Sequence, residues 1–363
     1  MIRSIRIENF KGFINFELKD LARINVLGGK NNVGKTSLME ALSLIEDRTN
    51  PNLFMRQLSR RGIVSIQPEA DKVWGNFFNN ASFKKPICIT SSSSGDKSSS
   101  AKSTEELKIS YIEQYLRPIM PFMGQPNTAI QTNRENVTTQ ALNIIYKKNA
   151  KTIQNSHLMI DGMMMHQQHV PLPTAAVFLS PSQRASANED AVNLGKLTIE
   201  SGGKGKTDLL QFLRDTFKPS IDAIDSVPIG NTAMIYTVVE NRSNSMPIAH
   251  LGDGMNRVIS ILMTIATNPR RLIFIDEIEN GIHYSILPKI WLGIAEAAAK
   301  YECQLFITTH SLECIRAAYQ GIPETQRNEF RYVRLDQGVN GLNAKSYDYE
   351  IMGYAIEQEL EVR

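Results

Sequence analysis

The chain has 363 residues, 42% apolar and 21% charged, enough for one large α/β domain with an insertion or about two domains, and far more than a short peptide module. Forty basic residues against thirty-seven acidic ones leave a net charge of +3, too weak a bias to announce a nucleic-acid binder by charge alone. The apolar-rich stretch 258–266 falls short of the roughly 18 residues a membrane span needs, and the opening 1–8 alternates instead of forming a secretory apolar core, so a cytoplasmic protein without membrane contact is expected.

At the N-terminus, Ile5 and Ile7 alternate with Arg6 and Glu8, Phe13 and Phe16 follow, and Ala22 to Leu27 is a short apolar run ending in two glycines. This pattern predicts two antiparallel edge strands feeding a buried strand. From Thr36 to Glu46, the apolar residues Leu38, Ala41, Leu42 and Ile45 fall on one helical face. Residues 1–50 and 248–335 are therefore assigned to a core, and about 51–247, where periodicity weakens, to an inserted helical and irregular lobe.

Within that lobe the serine-rich stretch in 91–103 reads as a mobile loop between strands at 87–90 and 107–112. Residues 175–179 predict another strand, and 206–224 a helix. Order returns at His250: a helix over 255–266, a buried strand at 271–275 ended by acids, a helix face at Leu287, Ile290, Trp291, Ile294 and Ala298, and a strand at 303–308. Ser311 can then cap a helix over 312–319. Strands alternating with helices imply a largely parallel sheet and an α/β fold.

The chemistry is concentrated in a few runs. Gly29-Lys30-Asn31-Asn32-Val33-Gly34-Lys35-Thr36 fits G-x-x-x-x-G-K-[ST] between a predicted strand and helix. Such a loop points backbone N–H groups at a phosphate, Lys35 reaches the β and γ phosphates, and the Thr36 hydroxyl ligates Mg²⁺. Ser37 completes the run. The strand ending in Asp276-Glu277 puts one carboxylate at the sheet edge for Mg²⁺ and the next where it can activate water. Behind the following strand, His310 can sense a γ-phosphate and stabilise developing charge. ATP and Mg²⁺ are the expected ligands.

Taken together, residues 29–37, Asp276-Glu277 and His310 resemble the Walker A, Walker B and switch histidine of ABC-type ATPases. The opening Ile5-x-Ile7-x-Asn9-Phe10-Lys11 and the run Asp276 to His283 are similar to the SMC, RecF and OLD branch. The run Thr308-Thr309-His310-Ser311 and the ending Leu360-Glu361-Val362-Arg363 resemble the stand-alone ATPases of bacterial anti-phage defence systems. That resemblance implies an ATPase head with a mostly parallel sheet and an N-terminal antiparallel β subdomain. It implies ATP hydrolysis, a head-to-head dimer around two nucleotides, and control of a separately encoded effector such as a TOPRIM-like nuclease. A RecF-like ATPase that binds DNA as a closed dimer is the alternative.

The resemblance also implies a signature loop that contacts ATP on the other protomer. It corresponds to Leu251, Gly252, Asp253, Gly254 and Met255, with Gly252 where the family has a serine. Gln183 and Gln67 are candidates for the glutamine loop.

Other features have blander readings. His157, His166 and His169 lack partner ligands at metal-site spacing, and Cys88, Cys303 and Cys314 form neither a disulfide framework nor a zinc knuckle. Arg56, Arg60 and Arg61 with Lys84 and Lys85 form a candidate DNA patch that is more readily a solvated face. Gly202 to Lys206 only superficially resembles a second phosphate loop. Residues 37–249 lack sustained heptads, which excludes long coiled-coil arms, and too few residues follow His310 for a TOPRIM domain.

Overall fold

The structure, a computed structural model, describes residues 1–63, 67, 69–94, 102–116, 138–166, 177–180, 187–200, 202–242, 244–338 and 341–360. In chain order the first elements are β1 (Ile2–Phe10), β2 (Phe13–Leu18), β3 (Ile24–Gly28), α1 (Lys35–Asp47), α2 (Leu53–Arg60) and α3 (Ala70–Val73). Next come β4 (Ile87–Ser93), β5 (Ser103–Leu116), β6 (Thr138–Lys148), β7 (Lys151–Met159), β8 (Met164–His166) and β9 (Val177–Leu179). A third group is α4 (Ala187–Glu200), α5 (Lys204–Thr216), β10 (Ile221–Ile229), β11 (Thr232–Val239) and β12 (Met246–Pro247). The chain closes with α6 (Asp253–Thr267), β13 (Leu272–Ile275), α7 (Leu287–Lys300), β14 (Gln304–Thr308), α8 (Leu312–Gly321), β15 (Phe330–Gly338), β16 (Gly341–Tyr347) and α9 (Tyr349–Glu357).

A six-stranded sheet in the order β16-β15-β3-β14-β13-β9 lies at the centre, parallel except for β16. Alternate residues of its strands enter two different cores. Ile273, Ile275, Leu305 and Ile307 pack against α4 to α8, whereas Phe274 and Phe306 face α1, α2 and the N-terminal strands. Burial on both faces explains why β13 and β14 read as unbroken apolar runs. Phe178, Phe274 and Phe306 stack across three adjacent strands with centroids 5.7 Å apart.

The second core is closed by a seven-stranded antiparallel sheet, β2-β1-β4-β5-β6-β7-β8. Gln304 ties this layer to the central one: it accepts from the Ile2 amide and donates to the Ile2 and Ala22 carbonyls, at 2.7–2.8 Å. The α/β head with its antiparallel N-terminal subdomain thus matches the expectation from sequence.

Several expectations need correction. β1 is not an edge strand, because β4 pairs with its other side. Much of the stretch assigned to an inserted helical and irregular lobe is instead β-structure, since β4 to β8 complete the sheet begun by β1 and β2. Their polar positions face the open side of the sheet, which dilutes the alternation. Ser91 to Ser93 belong to β4, with Ser91 buried and paired to Ile5 and Glu105; the rest of the serine-rich run, 95–101, lies outside the described residues. The helix predicted over 206–224 stops at Thr216, because Pro219 removes an amide donor and disfavours helix before it, and the chain turns into β10. A three-stranded sheet of β10, β11 and β12 follows.

One buried acid makes the helical layer sensitive to pH. Asp190 on α4 accepts from Ser260 Oγ of α6 at 3.2 Å, and burial pushes its carboxyl up to about 6, against the pull of Ser260. A raised folded-state value means the folded chain holds the proton more tightly, so stability falls as pH rises from about 4 to about 6 and then stays level. Asp190→Asn is therefore expected to stabilise the protein at pH 8 by roughly 1–3 kcal/mol, with no gain at pH 4. Urea midpoints at the two pH values check this, and an equal shift at both would refute it.

Candidate active site

The site sits at the carboxyl ends of three adjacent parallel strands. The register pairs Thr308 with Leu27 and Ile307 with Ile275, so the loop after β3, the acids after β13 and the turn after β14 emerge side by side. That edge is where ligands bind in open α/β sheets.

Gly34, at φ +100°, caps the start of α1 in a conformation that side chains rarely adopt. It lets the loop turn directly into the helix, presenting the first-turn amides. Lys35 folds back over the loop and donates to the carbonyls of Gly29 (2.8 Å) and Lys30 (3.0 Å). Burial lowers the pKa of its ammonium from the ordinary value, opposed by the charges of Asp276, Glu277 and Glu279. Lys30, Asn31 and Asn32 are exposed at the loop tip, while Ser37 stands half-buried on α1.

Thr36 Oγ1 lies 3.2 Å from both oxygens of Asp276. Thr308 Oγ1 donates to Asp276 Oδ1 at 2.5 Å and accepts from the Glu277 amide at 2.8 Å, fixing both acids to the end of β14. Glu277 itself adopts φ +48°, a strained conformation for a residue with a side chain, and such strain concentrates at functional sites. Its carboxylate is 45% exposed and stands 4.0 Å from His310 Nδ1.

The oxygen pair of Thr36 and Asp276 suits a hard cation such as Mg²⁺. Among the described residues there is no cluster of three or more histidine, cysteine or acidic side chains that could hold a metal unaided. Phosphate oxygens and water would complete the shell, as is usual for Mg²⁺ at nucleotide sites.

The candidate signature loop opens α6, with Gly252 as its N-cap and Asp253 in its first turn. Gly252 and Asp253 are exposed. Gly254 is packed so closely that a Cβ there would sit 2.4 Å from the carbonyl oxygen of Gly281, in the loop that follows the acids, whereas a Cβ on Gly252 meets nothing within 4 Å.

Three functional neighbours were not singled out from sequence. Thr308 pins the two acids. Arg257, three residues beyond Gly254 on α6, donates to the carbonyls of Ser180 (3.1 Å) and Asp276 (2.8 Å) at the ends of β9 and β13, and burial lowers its pKa. Glu279 contacts the turn that carries His310. Nothing in the sequence marked Arg257, and Thr308 and Glu279, though inside runs that carry the resemblance, were given no role of their own there.

The structure engages the three arginines of the basic patch internally, while Lys84 and Lys85 are exposed. Arg61 clasps the buried Glu40 through two hydrogen bonds of 2.8 and 2.9 Å, and Lys11 pairs with the same carboxylate. Arg56 pairs with the buried Asp47, and Arg60 stacks on Phe178. His157 is buried and stacked on Tyr115. Gln67 is exposed beside Lys72, and Gln183 and His169 lie outside the described residues. Among the described residues no helix is long and apolar enough to cross a membrane.

Comparison with known proteins bears on the fold and the activity. Residues 1–157 match a family model described as an AAA ATPase domain. Residues 176–316 match one described as an AAA domain, with an AbiEii toxin of a Type IV TA system named in the description. An "ATP/GTP phosphatase" of Helicobacter pylori is 24% identical over 99% of both chains. An uncharacterized protein of Methanocaldococcus jannaschii is 48% identical over 59 residues, 16% of this chain and 27% of that one.

In structure the chain resembles an SMC head bound to the C-terminal winged-helix domain of ScpA (TM-score 0.57, 10% identity, 98% and 99% coverage). It also resembles the SMC head of Thermotoga maritima (0.53, 9%, 96% and 99%). The two AAA-type segments and the strand-end site together mark the chain as an ATPase on an SMC-like head fold.

Proposed function

We propose that the chain is a switch ATPase that closes as a head-to-head dimer around Mg²⁺ and ATP. The observation that carries this reading is the convergence of Lys35, Thr36, Asp276, Glu277 and His310 at one strand edge. Mg-ATP supplies the phosphoanhydride and the cation that neutralises its oxygens. The amides of Gly29 to Thr36 cradle the phosphates, and Lys35 exchanges its two loop carbonyls for phosphate oxygens. Thr36 and Asp276 hold the cation, Glu277 takes a proton from the attacking water, and His310 donates toward the γ-phosphate. Because catalysis here is mainly positioning and electrostatics, dimer closure can itself complete the site.

Gly252 to Met255 would approach the second nucleotide from the partner. Gly252 lacks a serine hydroxyl, but its position at the N-terminus of α6 offers amides and the positive end of a helix dipole. Analytical ultracentrifugation of Glu277→Gln with Mg-ATP is expected to show a dimer that ADP does not support. Because a side chain at 252 has open space within its own chain, Gly252→Glu should keep the monomer folded and remove the ATP-dependent dimer. An unchanged Gly252→Glu dimer would refute the trans contact.

The finer role follows the resemblance to defence ATPases: the switch would restrain or release a separately encoded effector. Support comes from the run Thr308 to Ser311 and from the toxin system named in the description matched by 176–316. Affinity purification with the product of the adjacent gene tests it. Of the candidate DNA patch, Arg56 and Arg61 are committed to ion pairs with buried acids, which weakens the support for the RecF-like alternative.

A further inference from the structure

We propose that Glu279 is a positioning residue that sets the orientation and proton pattern of His310, leaving Glu277 free to act on water. The proposal rests on the reading of His310 as the group facing the γ-phosphate. Glu279 is only 12% exposed, against 45% for Glu277. One of its oxygens, Oε1, accepts from Thr309 Oγ1 (2.8 Å) and the His310 amide (3.0 Å), and lies 3.3 Å from His310 Nδ1. Thr309 Oγ1 in turn accepts from the Ser311 amide at 3.1 Å. The whole turn that carries the imidazole is thus organised around one carboxylate.

An ionised carboxylate can only accept, so a proton on Nδ1 would face Glu279 Oε1 at 3.3 Å. Nε2 of the 47% exposed ring is then the atom available to a ligand. In the neutral ring with Nδ1–H, Nε2 carries a lone pair, which would repel a phosphate oxygen. Donation from Nε2 needs an imidazolium, and the Glu279 charge at 3.3 Å balances it. Second-sphere carboxylates orient histidines in this way at other sites. Glu277 is farther from the ring, at 4.0 Å, which separates the two acids by role.

Steady-state hydrolysis of Mg-ATP by the full chain tests this with Glu279→Gln, His310→Ala and the double variant. Glu279→Gln keeps an acceptor for Thr309 and the His310 amide but removes the charge. It should lower kcat by about 10- to 100-fold with KM within about twofold. The double variant should be no slower than His310→Ala, because Glu279 acts through the ring. Losses that multiply in the double variant, or a raised KM with unchanged kcat, would overturn the proposal while leaving the role of His310 intact. Wild-type kcat in His310→Ala would instead overturn the reading of His310 and this proposal with it. A second readout is independent of turnover: with ¹⁵N-histidine labelling and a non-hydrolysable ATP analogue, the His310 ring should show two protonated nitrogens in the wild type and lose that pattern in Glu279→Gln.

Discussion

Glu277→Gln is expected to lower kcat for ATP hydrolysis by about 10² to 10⁴ while leaving ATP affinity nearly unchanged. The amide keeps the size of the carboxylate and cannot take a proton from water. The backbone contact that holds the residue, its amide to Thr308 Oγ1 at 2.8 Å, is untouched by the change, so the loop should keep its φ +48° turn. Pre-steady-state measurement separates the steps: ATP should bind at the normal rate and remain uncleaved. A tenfold or smaller loss in kcat would mean that another group activates the water, and Asp276, the other acid at the strand end, would be the first to examine.

Lys35→Ala is expected to weaken ATP binding by more than a hundredfold. The Lys35 ammonium now satisfies two loop carbonyls, and the two phosphate contacts that would replace them are charge-assisted hydrogen bonds worth roughly 1.5–3 kcal/mol each. The fold should survive, because the side chain lies over the loop outside both apolar cores. Loss of the ammonium also removes a positive charge that interacts with Asp276, Glu277 and Glu279, which adds to the loss. Calorimetric titration with ATP measures it, and an affinity within threefold of wild type would remove Lys35 from the phosphate site.

Most of the catalytic core is legible in the amino-acid order because the requirements of each piece are local. A loop that turns from strand into helix around phosphates needs Gly34 next to Lys35 and Thr36. A central strand buried on both faces needs an unbroken run such as Leu272 to Ile275, and the first polar residues after it must stand at the sheet edge. Ser311 caps α8 through the Cys314 amide, as its place before the helix foretold.

What the order of residues left open are pairings between distant segments. Glu279 and Thr308 belong to the site only because β13 and β14 are parallel neighbours that end together; either residue alone is an ordinary polar residue after a strand. Arg257 reaches Asp276 because α6 packs beside β13. From sequence the cluster of Arg56, Arg60 and Arg61 is a candidate DNA patch but more readily a solvated face; packing places Glu40 and Asp47, buried on α1, within reach of two of them. Buried carboxylates demand such partners, since a charge removed from water without one is very costly.

The sequence by itself showed a phosphate-loop pattern at a strand-to-helix turn and an acid pair at a strand end, because those motifs need fixed residue types at fixed short spacings. Tertiary structure alone decided that β4 to β8 complete the N-terminal sheet, that Glu279 lies nearer His310 Nδ1 than Glu277 does, and that Gly254 is closely packed by its own chain while Gly252 stands open. The physical reason is that strand pairing and side-chain contact depend on which faces meet in space, and a one-dimensional pattern records only that a residue has a face, not what lies against it.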